Sequence, residues 1–253
     1  METPTVYLAA CDNYLHALKA TQFLFEKFWP SANVVVLGYK TPDFKLNDNW
    51  EFVSMGTDPG VEKWSNGLIE YFNSIDDTHI IFAVEDCPPI KPVNIELLYK
   101  LLPYMSNQNI GKITLSEDLG CRPHHFYDMI DNIEIIETTQ TTDYRLSTQY
   151  AIWRKDYFLK YLKPNMNAWQ FELDGSKCAI NDGYNIIGTN GQPETDYVIH
   201  SGECIRKGNF ERELVFHNPA WRKLANTYPH NKPQYDMTLD TDIILEMQNK
   251  GII

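Results

Sequence analysis

Few folds can house His79-Ile-Ile-Phe-Ala-Val84, a short run that is apolar on both of its alternating faces. Such a run reads as a strand covered above and below, which requires a sheet with helices on both sides. The segments before it fit that requirement. Val6 to Cys11 reads as a strand closed by Asp12-Asn13, and residues 14 to 28 carry Leu15, Leu18, Phe25 and Phe28 at helical spacing before Pro30. Asn33 to Leu37 is a second buried strand ending at Gly38, and Trp50 to Ser54 a third. Trp64, Leu68, Phe72 and Ile75 then repeat every three to four residues, the mark of an amphipathic helix.

Alternation of this kind predicts an α/β fold, doubly wound, with a mostly parallel sheet and helices on both faces, over about the first 115 residues. Beyond it, Val93 to Met105 reads as a helix and Lys112 to Leu115 as a strand. Residues 116 to 142 are polar with few periodic cues. Arg145 to Ala151 reads as extended, Trp153 to Tyr161 as helical up to Pro164, and the tail from Thr189 as loops with short strands.

Charge narrows the partners. The formal charge is -12, from 34 acidic and 22 basic residues, and a uniformly acidic surface repels phosphate backbones. The window from His200 to Lys232 departs from this, with Arg206, Lys207, Arg212, Arg222, Lys223 and Lys232 against three glutamates. It reads either as a local anion site, such as one for a diphosphate, or as an ordinary solvated loop. Cys11, Cys87, Cys121, Cys178 and Cys204 follow no paired spacing, so reduced thiols are expected. No basic leader precedes the first strand and no apolar run approaches the roughly 18 residues of a membrane span. The expectation is a soluble, cytoplasmic protein (host cytoplasm if viral), with its oligomeric state open.

Ligands of doubly wound sheets bind beyond the carboxyl ends of the strands. Ala10 to Asn13, Gly38-Tyr39 and Glu85-Asp86 all fall on that rim. Two adjacent acids after a buried strand need a partner. A Mg2+ or Mn2+ ion shared with a diphosphate is one partner; water or an arginine is the other. Glu172, between apolar residues in Trp169-Gln-Phe-Glu-Leu-Asp174, sits where its pKa would rise and suit proton abstraction, with Asp174 the fallback. The alternative for Glu172 is a helix cap or surface acid. Asp12 also reads as the cap of the first helix, and Trp64 and Trp153 as core or pocket wall. His124-His125 beside Arg122 reads as an acceptor loop.

The strand, the pair Glu85-Asp86 and the proline-containing turn Cys87-Pro88-Pro89 resemble the acidic metal motif of GT-A glycosyltransferases, of the small bacterial and phage type, with Cys87 standing where a strict D-x-D has its second aspartate. Tyr7 to Tyr14 is similar to the first nucleotide-binding loop of that group, Lys63 to Leu68 to the helix before the metal strand, and Leu146 to Arg154 and Trp169 to Glu172 to acceptor-side segments. The resemblance implies one GT-A domain over 1–253, with a nucleotide-sugar half at 1–115 and an acceptor half at 116–253. It implies donor contacts at Ala10, Asp12, Tyr14, Gly38, Trp64, Glu85, Arg206 and Lys207, and metal ligation by Asp86 and His200. Glu172 is the implied base of an inverting transfer. A UDP-sugar is the expected donor, and the acceptor is a saccharide or a hydroxymethylated pyrimidine in phage-type DNA. A nucleotidyltransferase of the same fold class is the alternative enzyme, disfavoured by the absence of glycine from Ala9-Ala10-Cys11-Asp12. A non-catalytic nucleotide-sugar-binding module is the other.

Overall fold

The computed structural model describes residues 4–120, 122–191, 196–201, 205–206, 209–210 and 239–253, with 206, 209 and 210 described by their backbone. The first four apolar runs form strands β1 (Val6–Ala9), β2 (Val34–Gly38), β3 (Trp50–Ser54) and β4 (His79–Val84). They pair in parallel in the order β3-β2-β1-β4. Helix α1 (Leu18–Phe28) joins β1 to β2, and α2 (Trp64–Ser74) joins β3 to β4.

Strand alternation sorts the core into two layers. Val6 and Leu8 of β1 and Ile81 and Ala83 of β4 pack with α1 and with α3 (Ile95–Leu101) on one face. Tyr7, Ala9, Ile80 and Phe82 face the other way, onto Leu68 and Phe72 of α2 and onto α4 (Lys155–Tyr161). The doubly wound α/β architecture with helices on both faces is therefore observed. A third apolar cluster joins Phe23 and Leu24 of α1 to Ile90 and to Ile243 and Met247 of a C-terminal helix, Thr241–Asn249.

The second half extends the same sheet. Strands β5 (Ile110–Thr114), β6 (His124–Ile130), β7 (Ile133–Thr138), β8 (Ala151–Arg154) and β9 (Asn185–Asn190) complete a nine-stranded order, β3-β2-β1-β4-β8-β5-β9-β7-β6. Strand β8 lies antiparallel between β4 and β5, which consequently run the same way as each other. β9 is parallel to β5, whereas β7 is antiparallel to both β9 and β6. The sheet is thus mixed, and only β7 and β8 run against the other strands.

Several expectations for this half are corrected. Residues 124–138 are a hairpin rather than a featureless polar stretch, closed by Asp131 in the left-handed region (φ 53°). The extended segment is not Arg145 to Ala151 but Ala151–Arg154, and the helix begins at Lys155 rather than Trp153. Arg154 ends that strand without exposing its charge, because its guanidinium donates to the carbonyls of Met105, Asn107 and Ile110 and to Gln108. The tail ends in a helix rather than in loops, capped by Asp240, whose side chain accepts from the Asp242 N–H.

Candidate functional site

Three loops leave the carboxyl ends of β1, β2 and β4 and are stitched to one another. The Ala10 N–H donates to the Leu37 carbonyl at 2.8 Å, and the Glu85 N–H to the Ala9 carbonyl at 3.2 Å. The Cys11 N–H donates to Glu85 Oε1 at 3.0 Å. Asp12 Oδ1 accepts from the backbone N–H groups of Tyr39 (3.3 Å) and Lys40 (2.9 Å). This corrects the helix-cap reading of Asp12: its carboxylate ties the β1 loop to the β2 loop, and the 3-10 turn Asp12–Ala17 has no side-chain cap. Gly38 permits the close approach. A Cβ there would stand 3.0 Å from the Phe52 ring and 3.7 Å from the Ala10 carbonyl oxygen.

Glu85 is buried, and Thr21 of α1 fixes its backbone by donating to its carbonyl at 2.8 Å. Burial first, and the neighbouring Asp86 second, push the Glu85 carboxyl up to about 8. Asp86 is half-buried, with the Cys87 thiol 3.5 Å from its Oδ1. The pair therefore carries an electrostatic load that a cation would relieve.

His200 is buried nearby in the chain path: its carbonyl accepts from the Ile90 N–H at 2.8 Å, and Ser201 bridges to Pro89. Its ring stands edge-on to Tyr197, centroids 6.1 Å apart. Among the described residues no group of three or more His, Cys, Asp or Glu side chains forms a metal cage, so Glu85, Asp86 and His200 do not converge into one. The acid pair fits an ion that draws most of its oxygens from a diphosphate and water, as Mg2+ commonly does.

Glu172 lies in a helical segment over 168–178 whose middle, Phe171–Gly175, is a π turn. Its Oε1 accepts from both the N–H (2.6 Å) and the Oγ1 (2.7 Å) of Thr148. Thr148 precedes β8, and β8 starts beside the carboxyl ends of β4 and β5, so Glu172 belongs to the same rim. Burial raises its pKa, the Thr148 donors and Lys112 pull it back, and Asp118 pushes it further up. Asp174 is exposed on the same segment and bonded to Lys177 at 2.9 Å. Trp64 packs among Phe82 and Phe171, each 6.3 Å away between centroids, and Trp153 is fully buried. Tyr14 is half-buried in the turn after β1, its backbone bent out of helical geometry (φ -121°, ψ 16°). His125 pairs across the hairpin with Glu137 at 3.5 Å, while His124 is held by the Arg122 carbonyl. Lys207 and the Arg206 side chain, with the rest of the basic window to Lys232, lie outside the described residues, as do Cys121 and Cys204. Among the described residues, Cys11, Cys87 and Cys178 form no disulfide.

A buried polar network beneath the carboxyl end of β5 escaped the sequence reading. Lys112 is fully buried, donates to the carbonyl (2.8 Å) and Oγ (3.1 Å) of Ser147, and is driven down to about 7 by burial. Asp118 accepts from Arg122 at 2.6 Å and from Ser147 Oγ at 2.7 Å. Burial alone would raise the Asp118 carboxyl, but Arg122 and Lys112 outweigh it and hold it low. Next to it, burial pushes Glu117 up to about 8, and its Oε2 has no hydrogen-bond partner among the described residues. The signal was a lysine inside an apolar strand, Ile110-Gly-Lys-Ile-Thr114, which demands a buried partner.

No protein-family model and no curated protein sequence matches the chain. Several solved structures align at low similarity. A cytidylyltransferase from Leptospira borgpetersenii is 11% identical over 91% of this chain and 98% of its own, with a TM-score of 0.44. S. aureus TarS 1-349 is 12% identical over 76% of this chain at a TM-score of 0.45, and the chain spans only 59% of it. Glucosyl-3-phosphoglycerate synthase from Mycobacterium tuberculosis, solved with Mn2+ and UDP-glucose, is 9% identical over 76% of this chain and 73% of its own, at 0.41. Likeness at this level assigns neither an activity nor a ligand to the chain. No helix among the described residues is long and apolar enough to cross a membrane.

Proposed function

We propose that the chain is a metal-assisted glycosyltransferase of the GT-A type, moving a sugar from a nucleotide-sugar donor, a UDP-sugar by preference, to an acceptor hydroxyl with inversion. The observation that supports this reading is the rim itself. Backbone ties hold the loops after β1, β2 and β4 together around an acid pair of buried Glu85 and half-buried Asp86, with a half-buried carboxyl, Glu172, at the carboxyl end of the same sheet. Ala10, Asp12, Tyr14 and Gly38 would line the nucleotide, with Trp64 supporting the wall and Glu85 beneath it. Arg206 and Lys207 would offset the diphosphate. Asp86 would hold Mn2+ or Mg2+ through its carboxylate, with diphosphate and water completing the shell, and the ion when bound stabilises negative charge on the departing diphosphate.

Glu172 takes the proton of the acceptor hydroxyl. As that O–H bond breaks, the acceptor oxygen forms a bond to the anomeric carbon. The bond from that carbon to the diphosphate oxygen breaks with its electron pair, releasing the nucleoside diphosphate. A base buried enough to have a raised pKa, yet held by donors, suits this transfer near neutral pH. The acceptor is a saccharide in this reading. A hydroxymethylated pyrimidine in DNA would require the basic window to form a continuous face, and would bind with steep salt dependence.

Hydrolysis of a panel of nucleotide sugars, with Mn2+ or Mg2+ and with EDTA, tests the core of the reading. Nucleoside diphosphate should appear with metal, vanish with EDTA and vanish in Asp86→Asn. Release of pyrophosphate from a nucleoside triphosphate and a sugar phosphate would instead favour a nucleotidyltransferase. No turnover of any donor, together with no thermal shift on adding nucleotide, would exclude the enzyme reading.

A further inference from the structure

We infer that Thr148 is the positioning residue of the Glu172 carboxylate, held for that task by the buried Lys112, Ser147 and Asp118. The inference rests on Glu172 being the base proposed above. Two donors of one residue, the Thr148 N–H at 2.6 Å and its Oγ1 at 2.7 Å, converge on the same oxygen, Glu172 Oε1. Rotating the carboxylate would break both bonds, so its plane is fixed. Among the described residues both bonds fall on Oε1, so Oε2 is the oxygen left to receive a proton.

Thr148 can orient a neighbour only if its own backbone is immobile. Lys112 Nζ grips Ser147 at both carbonyl (2.8 Å) and Oγ (3.1 Å), and Ser147 Oγ in turn donates to Asp118 at 2.7 Å. The Leu146 N–H donates to Ser176 Oγ at 3.0 Å, on the helical segment that carries Glu172. The turn 146–148 is therefore bonded to that segment at two points and to β5 from below. The charged and titratable groups that face Glu172 are Lys112 from β5, Asp118 from the turn after β5, and Tyr144 from the loop before Leu146. Arg122 stands behind them, paired with Asp118 and stacked over the Tyr144 ring at 5.3 Å.

The test compares Thr148→Val, which keeps the shape and the N–H but loses the hydroxyl donor, with Thr148→Ser, which keeps both donors. The Glu172 carboxyl carbon is titrated by NMR in glutamate-labelled protein, its signal assigned by its loss in Glu172→Gln. Thr148→Val should move the midpoint up by about one pH unit, because a donor to the charged form is gone, and Thr148→Ser should titrate like the wild type. In turnover, Thr148→Val should lower kcat about tenfold, leave the donor KM within about twofold, and shift the acidic limb of the rate profile upward by the same amount. A Thr148→Val protein that titrates like the wild type overturns the inference, and so does a Thr148→Ser protein that behaves like Thr148→Val. The titration needs no turnover. An inert wild type therefore sinks the transferase reading alone, while an active enzyme indifferent to Thr148→Val sinks the positioning role alone.

Discussion

Glu85→Gln should make the protein more stable in alkaline solution and leave it nearly unchanged in acid. Glu85 is buried, and its carboxyl moves from an ordinary 4.5 to about 8. Between those values the folded state holds a proton that the unfolded state has lost, so stability falls as pH rises. At about 1.4 kcal/mol per pH unit, the cost above pH 8 approaches 5 kcal/mol. That figure is an upper bound, since a charged native site can admit water and relax. Glutamine never ionises, and its amide oxygen still accepts from the Cys11 N–H, bonded at 3.0 Å in the parent. Thermal unfolding of both proteins from pH 5 to 9, in EDTA, reads the effect. For a chain of this size 1 kcal/mol is worth about 2–4 °C, so the variant should melt up to ~20 °C higher at pH 8.5 and within ~3 °C at pH 5. Glu117 and Lys112 also titrate away from their ordinary values, but they are common to both proteins and cancel in the difference. A difference that stays flat with pH, or a variant less stable at pH 8.5, refutes the reasoning.

Glu172→Gln should lower kcat by about 10²–10⁴, whereas Asp174→Ala, which removes only an exposed pair with Lys177, should leave turnover unchanged in the same assay. Arg122→Ala strands Asp118 without its closest cation and should destabilise the fold by ~3 kcal/mol in urea titration. Asp118 is held below its ordinary range, so its stabilising contribution is present above pH ~4 and lost on acidification. The gap between Arg122→Ala and wild type should therefore narrow below that pH.

The sheet was legible where burial leaves a clear pattern. The bounds of His79–Val84 could be read directly because polar residues flank the unbroken apolar run from Ile80, and those of Trp50–Ser54 from its bulky β-forming residues between polar flanks. Strand β8 was hidden because Trp153, Tyr157 and Tyr161 share a helical spacing that runs back into Ala151–Arg154. The 124–138 hairpin was hidden because β6 is largely exposed and shows no apolar face, though Asp131-Asn132 marked its turn. Ile243 and Met247, four apart behind Asp240, signalled the last helix and were overlooked. The convergence of Asp12, Gly38 and Glu85 was readable from topology alone, since each follows a strand of one parallel set. The network of Lys112, Asp118, Arg122 and Ser147 was not, because its members meet only through tertiary approach.

The placement of β8 governs how the chain can assemble. β4 and β5 never touch as neighbours in the ladder; β4 has β1 on one side, but its other flank, and β5 altogether, find a partner only after some seventy and forty further residues have been synthesised, when Ala151–Arg154 slots between them. A fragment stopped near residue 115 would leave β4 with an open flank and β5 with no neighbour at all. The molecule closes like a zip whose central tooth comes from far along the tape, so its two halves should mature together and cleave apart poorly.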